Sequence, residues 1–200
     1  HQSIPSLIKR LEKLYENHDD EALNSLGVPL RIGILNLEIA LRTGRKLEKA
    51  MHWFSNAIEF SNNKNYKDYW SCCGLVITQY LQSGKFDKSL LENPPDGYKQ
   101  KARRFPMVWF LFVRVCQLTG KRREVHELFL ALERRLTKLE NEFSNDEDYK
   151  KFILNNYGIL IEEWLQSIYE DESFSEVDKF YYIIRVNELL QNRFMTNEMV

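Results

Sequence analysis

The chain reads as an all-α protein: antiparallel helical hairpins stacked side by side, about nine helices in all, with a C-terminal helical pair capping the stack. Three observations predict this. A run of mostly apolar residues ends three times in a small hydroxylated residue, a glycine and a cation, at Thr43-Gly44-Arg45, Ser83-Gly84-Lys85 and Thr119-Gly120-Lys121. These glycines stand 40 and 36 residues apart, and another helix-forming segment follows each at once, which is the spacing of a two-helix repeat. Finally, 8 glycines and 5 prolines in 200 residues are few for a strand-rich fold with many turns. One hairpin cannot bury its own apolar face, whereas stacked hairpins share a core.

Taken in order, Ser6 to Tyr15 places Leu7, Leu11 and Leu14 on one helical face, with Ile8 and Tyr15 at its flank. Asn17 to Asp20 interrupts it, and Gly27 and Pro29 mark a second loop. From Pro29 a helix carries apolar residues on two faces, Ile32, Leu35 and Ile39 alongside Ile34, Leu37 and Leu41, as an inner helix of a stack does. Gly44 ends it, because a residue at positive φ costs glycine least. Leu47 to Phe60 follows, with a broad stripe through Ala50, Phe54 and Ala57. Tyr69 to Leu81 and a shorter segment from Phe86 to Leu91 make the next pair, cut at Pro94-Pro95 where no helix continues.

Phe105 to Leu118 is the most apolar helix and belongs at the centre of the core, with Glu124 to Leu139 as its amphipathic partner. Ser144-x-x-Glu147 and Ser173-x-x-Glu176 have the capping-box pattern and introduce helices from Asp148 to Tyr169 and from Val177 to Arg193. No contiguous polar linker intervenes, so residues 1–200 read as one domain, with repeats over 30–140 and an acidic pair over 141–200. A chain opening on His1 also reads as a fragment or processed piece of a larger protein.

The segment from Ile34 to Asn62 resembles a tetratricopeptide repeat. With the turn at Gly44-Arg45, Ala50, Phe54 and Ala57 fall where that family packs its second helix, and Leu37 and Leu41 fall at the large apolar positions of its first. The next unit matches at Val76 and Tyr80 but has Ser89 in place of the usual alanine. In the third, Val113, Val125, Phe129 and Leu132 are larger than the pattern prefers. The resemblance implies a divergent α-solenoid that binds proteins or peptides in a groove lined by the first helices. An ordinary helical bundle with coincidental glycine-ended hairpins is the alternative. Leu35 and Ile39 stand where a carboxylate clamp places Lys and Asn, which argues against that mode and for an apolar groove that takes a helix.

The net charge of −1 hides an asymmetry: residues 1–139 hold 23 Lys/Arg against 15 Asp/Glu, and residues 140–200 hold 5 against 14. The two regions either attract each other or face different partners. Stacked hairpins would align the turn cations Arg45, Lys46, Lys85, Lys121, Arg122 and Arg123 along one basic edge, to which Lys101, Arg103 and Arg104 add a loop cluster. Such an edge suits an acidic protein segment or, as the alternative function, nucleic acid.

Cys72-Cys73 is no metal pair, since neighbours on a helix diverge by about 100°. His18, His52 and His126 lie on separate elements. Glu162-Glu163 and Asp146-Glu147-Asp148 read as solvated helix positions, and no phosphate loop or nucleophile motif occurs. Phe180-Tyr181-Tyr182, flanked by Asp178, Lys179 and Arg185, is the better aromatic candidate for an exposed contact. The longest uncharged apolar stretch, Phe105 to Val113, is about half a membrane span. Three cysteines and no Asn-x-Ser/Thr acceptor suit a reduced intracellular compartment, cytoplasm or nucleus.

The sequence thus predicts a non-enzymatic scaffold or adaptor subunit without cofactor or metal. It would bind a peptide or amphipathic helix through Leu35, Ile39 and Thr78 of the groove and through the basic edge.

Overall fold

The turn motif does what its residue types require. In the computed structural model, which describes residues 4–17, 27–64, 68–143, 145–172 and 175–191, Gly44 and Gly84 sit at φ 67 and 69. Each donates its N–H to the carbonyl four residues back, on Ala40 and Tyr80, at 2.8 Å. The hydroxyl before each glycine donates to a carbonyl of its own last turn, Thr43 to Ile39 at 2.7 Å and Ser83 to Gln79 at 3.0 Å. Each hydroxyl also accepts the N–H of the cation beyond the glycine. The third turn closes differently: Lys121 donates to Cys116 O and Gly120 to Gln117 O, the double bond pattern of a Schellman end.

The described elements are α1 (Ile4–Asn17), α2 (Val28–Thr43), α3 (Leu47–Asn63), α4 (Tyr69–Ser83), a 3-10 turn (Lys88–Leu91), α5 (Tyr98–Ala102), α6 (Pro106–Leu118), α7 (Arg122–Glu140), α8 (Asp146–Glu170) and α9 (Glu176–Gln191). No strand occurs among the described residues, so the all-α expectation holds there. No described helix is long and apolar enough to cross a membrane. The contacts divide the chain into two compact units, residues 1–103 and 104–200.

In the first unit α3 packs against both α2 and α4, which also touch each other; α1 lies on α2 and the 3-10 turn on α4. Short connections make α2, α3 and α4 antiparallel neighbours. Phe54 of α3 is fully buried, and its ring occupies space left by two glycines. A Cβ on Gly33 of α2 would stand 2.7 Å from it, and one on Gly74 of α4 would also overlap the ring. Both cradle glycines come from flanking helices, so α3 is clasped from two sides. Ser61 closes the α3–α4 loop, donating to Ile58 O and accepting the Asp68 N–H, while Asp68 caps α4 through Ser71.

In the second unit α6 packs against α7 and α8, and α9 against α8 and α7. The core is bulky, with Trp109, Phe110, Leu132, Leu136, Ile153 and Trp164 fully or almost fully enclosed. The predicted central place of α6 is met: Trp109 through Val113, Val115 and Cys116 are buried.

Several local expectations are corrected. In α1, Ile8 is buried and Tyr15 meets Trp53 edge-on at 5.2 Å, whereas Leu7 and Leu14 are exposed; the packed face is rotated from the leucine row. The segment from Phe86 to Leu91 forms only the 3-10 turn, held by Asp87 accepting from Ser89 N, because the prolines that follow leave it no length. Asn145 caps α8, accepting the Glu147 and Asp148 N–H groups. The expected cap Ser144 lies outside the described residues, as does Ser173. At α9 the reciprocal box is Ser175 with Asp178.

Candidate functional site

The residues singled out in the sequence are divided between the two units. Leu35 and Thr78 are buried and Ile39 is half-buried. Thr78 satisfies its hydroxyl on Leu75 O. Leu35 and Thr78 are therefore core residues of the first unit and not the lining of an open groove. The reason is that α4 is buried nearly all round, with Ser71, Cys72, Cys73, Gly74, Val76 and Ile77 enclosed. Arg45, Lys46 and Lys85 are exposed at the ends of α2 and α4. Since those helices run parallel across α3, the two turns occupy the same end of the first unit. Arg103, Arg104, Lys121 and Arg123 are exposed, Arg123 pairing with Glu127 at 3.2 Å. The side chains of Lys101 and Arg122 lie outside the described residues.

The second unit holds what the sequence reading missed. Arg114, in the most apolar helix, reaches Glu163 of α8 at 2.7 Å, a contact of ion-pair distance whose angle is not that of a hydrogen bond. Glu163 is only 4% exposed, not solvated like its neighbour Glu162. Burial pushes its carboxyl above the usual range, and Arg114 and a hydrogen bond from Gln117 pull it part of the way back. The signal was present: an arginine inside an apolar helix calls for a counter-charge, and Glu163 stands between the apolar pairs Leu160-Ile161 and Trp164-Leu165.

Beside this pair lies a cavity of about 250 Å3, formed by α6, α7, α8 and α9. Phe129 and Trp164 stack along one wall with centroids 5.7 Å apart and planes 19° apart, and Tyr182 meets Trp164 edge-on at 6.3 Å. Gln117 donates to Ser167 Oγ at 2.5 Å. Of the dispersed nucleophiles and bases that an enzymatic site would have to assemble, His126 lines this cavity, while Cys116 and Glu162 do not. No group of three metal-ligating side chains occurs among the described residues. Cys72, Cys73 and Cys116 are buried and form no disulfide.

On the outside of α9, Val177, Phe180, Tyr181 and Ile184 stand at i, i+3, i+4 and i+7 and are 78%, 63%, 61% and 41% exposed. The inner side of the same helix is engaged: Val186 is buried, and Arg185 bonds Glu133 of α7 at 2.8 Å. The aromatic run is therefore split by the helix period, Phe180 and Tyr181 outward and Tyr182 toward Trp164. Comparison with family models, curated proteins and solved structures gives no match for this chain.

Proposed function

We propose that this chain is a non-enzymatic interaction module, a scaffold or adaptor subunit of an intracellular assembly in cytoplasm or nucleus. It belongs, on this reading, to a divergent tetratricopeptide-like class of stacked hairpins. The packing of α3 between α2 and α4 supports the hairpin reading, since it is how neighbouring hairpins share one core. The observation that carries the function is the outer stripe of α9. A helix apolar on both faces is ordinarily buried on both, and four large side chains at one-face spacing form a surface suited to an amphipathic partner helix. Glu176 and Glu188 beside it are paired with Lys179 and Arg185, so the stripe has a polar rim whose charges are largely balanced.

The test is affinity capture from the native cell with wild-type chain, with Phe180→Asp/Tyr181→Asp, and with Arg45→Glu/Lys85→Glu. Both substituted pairs are exposed, so folding should survive, as circular dichroism can verify. Loss of a specific protein only with the α9 pair supports the reading. Capture unchanged by that pair defeats it, and so does nucleic-acid binding that falls steeply with salt and vanishes with the basic pair.

A further inference from the structure

The outer stripe of α9 is symmetric about its own middle. Its residues stand at 177, 180, 181 and 184, so the spacing reads the same from either end. The side-chain types do too, with β-branched Val177 and Ile184 at the ends and the rings of Phe180 and Tyr181 at the centre. Ile183, 43% exposed, widens one edge. Such a surface is self-complementary about a two-fold axis set between residues 180 and 181, as an isologous dimer requires. A helix laid antiparallel across its copy there sets Val177 opposite Ile184 of the second copy, and Phe180 opposite Tyr181 of the second copy.

The rim suits a copy as well. Glu176 with Lys179 and Arg185 with Glu188 are paired within the chain, which leaves little surplus to select a strongly basic or acidic partner. Asp178 and Arg185 lie on the same edge of α9. The two-fold axis brings Asp178 to within about 3 Å of axial rise of Arg185 of the second copy, so opposite charges meet there twice. On the other edge the two Glu176 carboxylates stay about 13 Å apart along the axis, beyond a Debye length. With a whole aromatic side chain at about 150–250 Å2, the exposed parts of the stripe and Ile183 come to roughly 500 Å2 a copy and about 1,000 Å2 for the pair. That reaches the lower bound of a specific interface, where weak and reversible pairs lie. We propose that the stripe docks the α9 helix of a second copy of this chain, antiparallel about this axis, with a dissociation constant on the order of 10 μM. The inference rests on α9 being a docking face and adds what that face docks.

Sedimentation equilibrium of the purified full chain, loaded from about 1 to about 300 μM, measures the monomer–dimer constant around that value. Phe180→Asp/Tyr181→Asp should weaken dimerisation tenfold or more, and Arg45→Glu/Lys85→Glu in the first unit should leave it unchanged. Cysteine pairing then reads the register. Val177→Cys and Ile184→Cys chains, one of them tagged to tell the products apart, are mixed with oxidised glutathione and run on a non-reducing gel. The native cysteines are buried and do not compete. The mixed disulfide should form ahead of both like pairs, because the two-fold axis sets position 177 opposite 184 and keeps like positions about 10 Å apart along the axis, out of disulfide reach. All these substitutions fall on exposed residues, so the folded chain is retained. A chain that stays monomeric to 300 μM, a dimer indifferent to the α9 pair, or like pairs forming as fast as the mixed one overturns the proposal. A monomeric chain whose α9 stripe captures a different protein overturns it while upholding α9 as a docking face, so the two failures are told apart.

Discussion

Replacing Gly74 by alanine puts one methyl group where the Phe54 ring already lies, and the sign of its effect tests the clasp around α3. Propensity alone favours the change, since alanine is about 1 kcal/mol better than glycine inside a helix. Packing opposes it. At the equivalent Gly33 position the added carbon would stand 2.7 Å from the ring, whereas carbon atoms settle near 3.5–4.0 Å, so the overlap is about 0.8 Å. Phe54 is fully buried and has no free volume to retreat into, and such overpacking costs about 1–3 kcal/mol. Gly74→Ala should therefore lower stability by up to about 2 kcal/mol net. In a Phe54→Leu background the ring is gone, and the same change should become neutral or stabilising by up to about 1 kcal/mol. Urea unfolding followed by circular dichroism, run as a double-mutant cycle, measures the coupling. If Gly74→Ala stabilises the wild-type chain, or has equal effects in both backgrounds, the ring does not occupy the glycine cradle.

Two further predictions concern stability. Burial raises the Glu163 carboxyl above its ordinary 4.5, so between that value and its raised one the folded chain holds this proton more firmly than the unfolded chain. Glu163's contribution to stability therefore increases as pH falls through that window, and Glu163→Gln should remove this slope from a plot of melting temperature against pH. An unaltered slope in the variant would place the carboxylate in solvent. In the first repeat turn Lys46 adopts φ 69 and Gly44 φ 67. Lys46→Gly should stabilise by roughly 0.5–1 kcal/mol and Gly44→Ala destabilise by about 1 kcal/mol, opposite signs two residues apart, read by thermal unfolding. Like signs would contradict the turn geometry.

The sequence by itself determined the helices and their ends, because these rest on local chemistry. Helical period, Thr43-Gly44-Arg45 and its two counterparts, and Pro94-Pro95 act within a few residues of themselves, and α2, α3, α4, α6 and α7 lie close to where periodicity puts them. Cap choice was less legible where several polar residues compete, as at Ser144 and Asn145. What only tertiary structure decided is which faces meet. Leu35 and Thr78 read from the sequence as groove residues of inner helices, but both are buried, in the core of the first unit. Gly33 and Gly74 are 41 residues apart and acquire meaning only when Phe54 enters between them. Arg114 and Glu163, like the walls of the adjoining cavity, come from different helices. Local propensity carries no information about such partners, because burial, counter-charge and cavity shape are set by packing across large sequence separations.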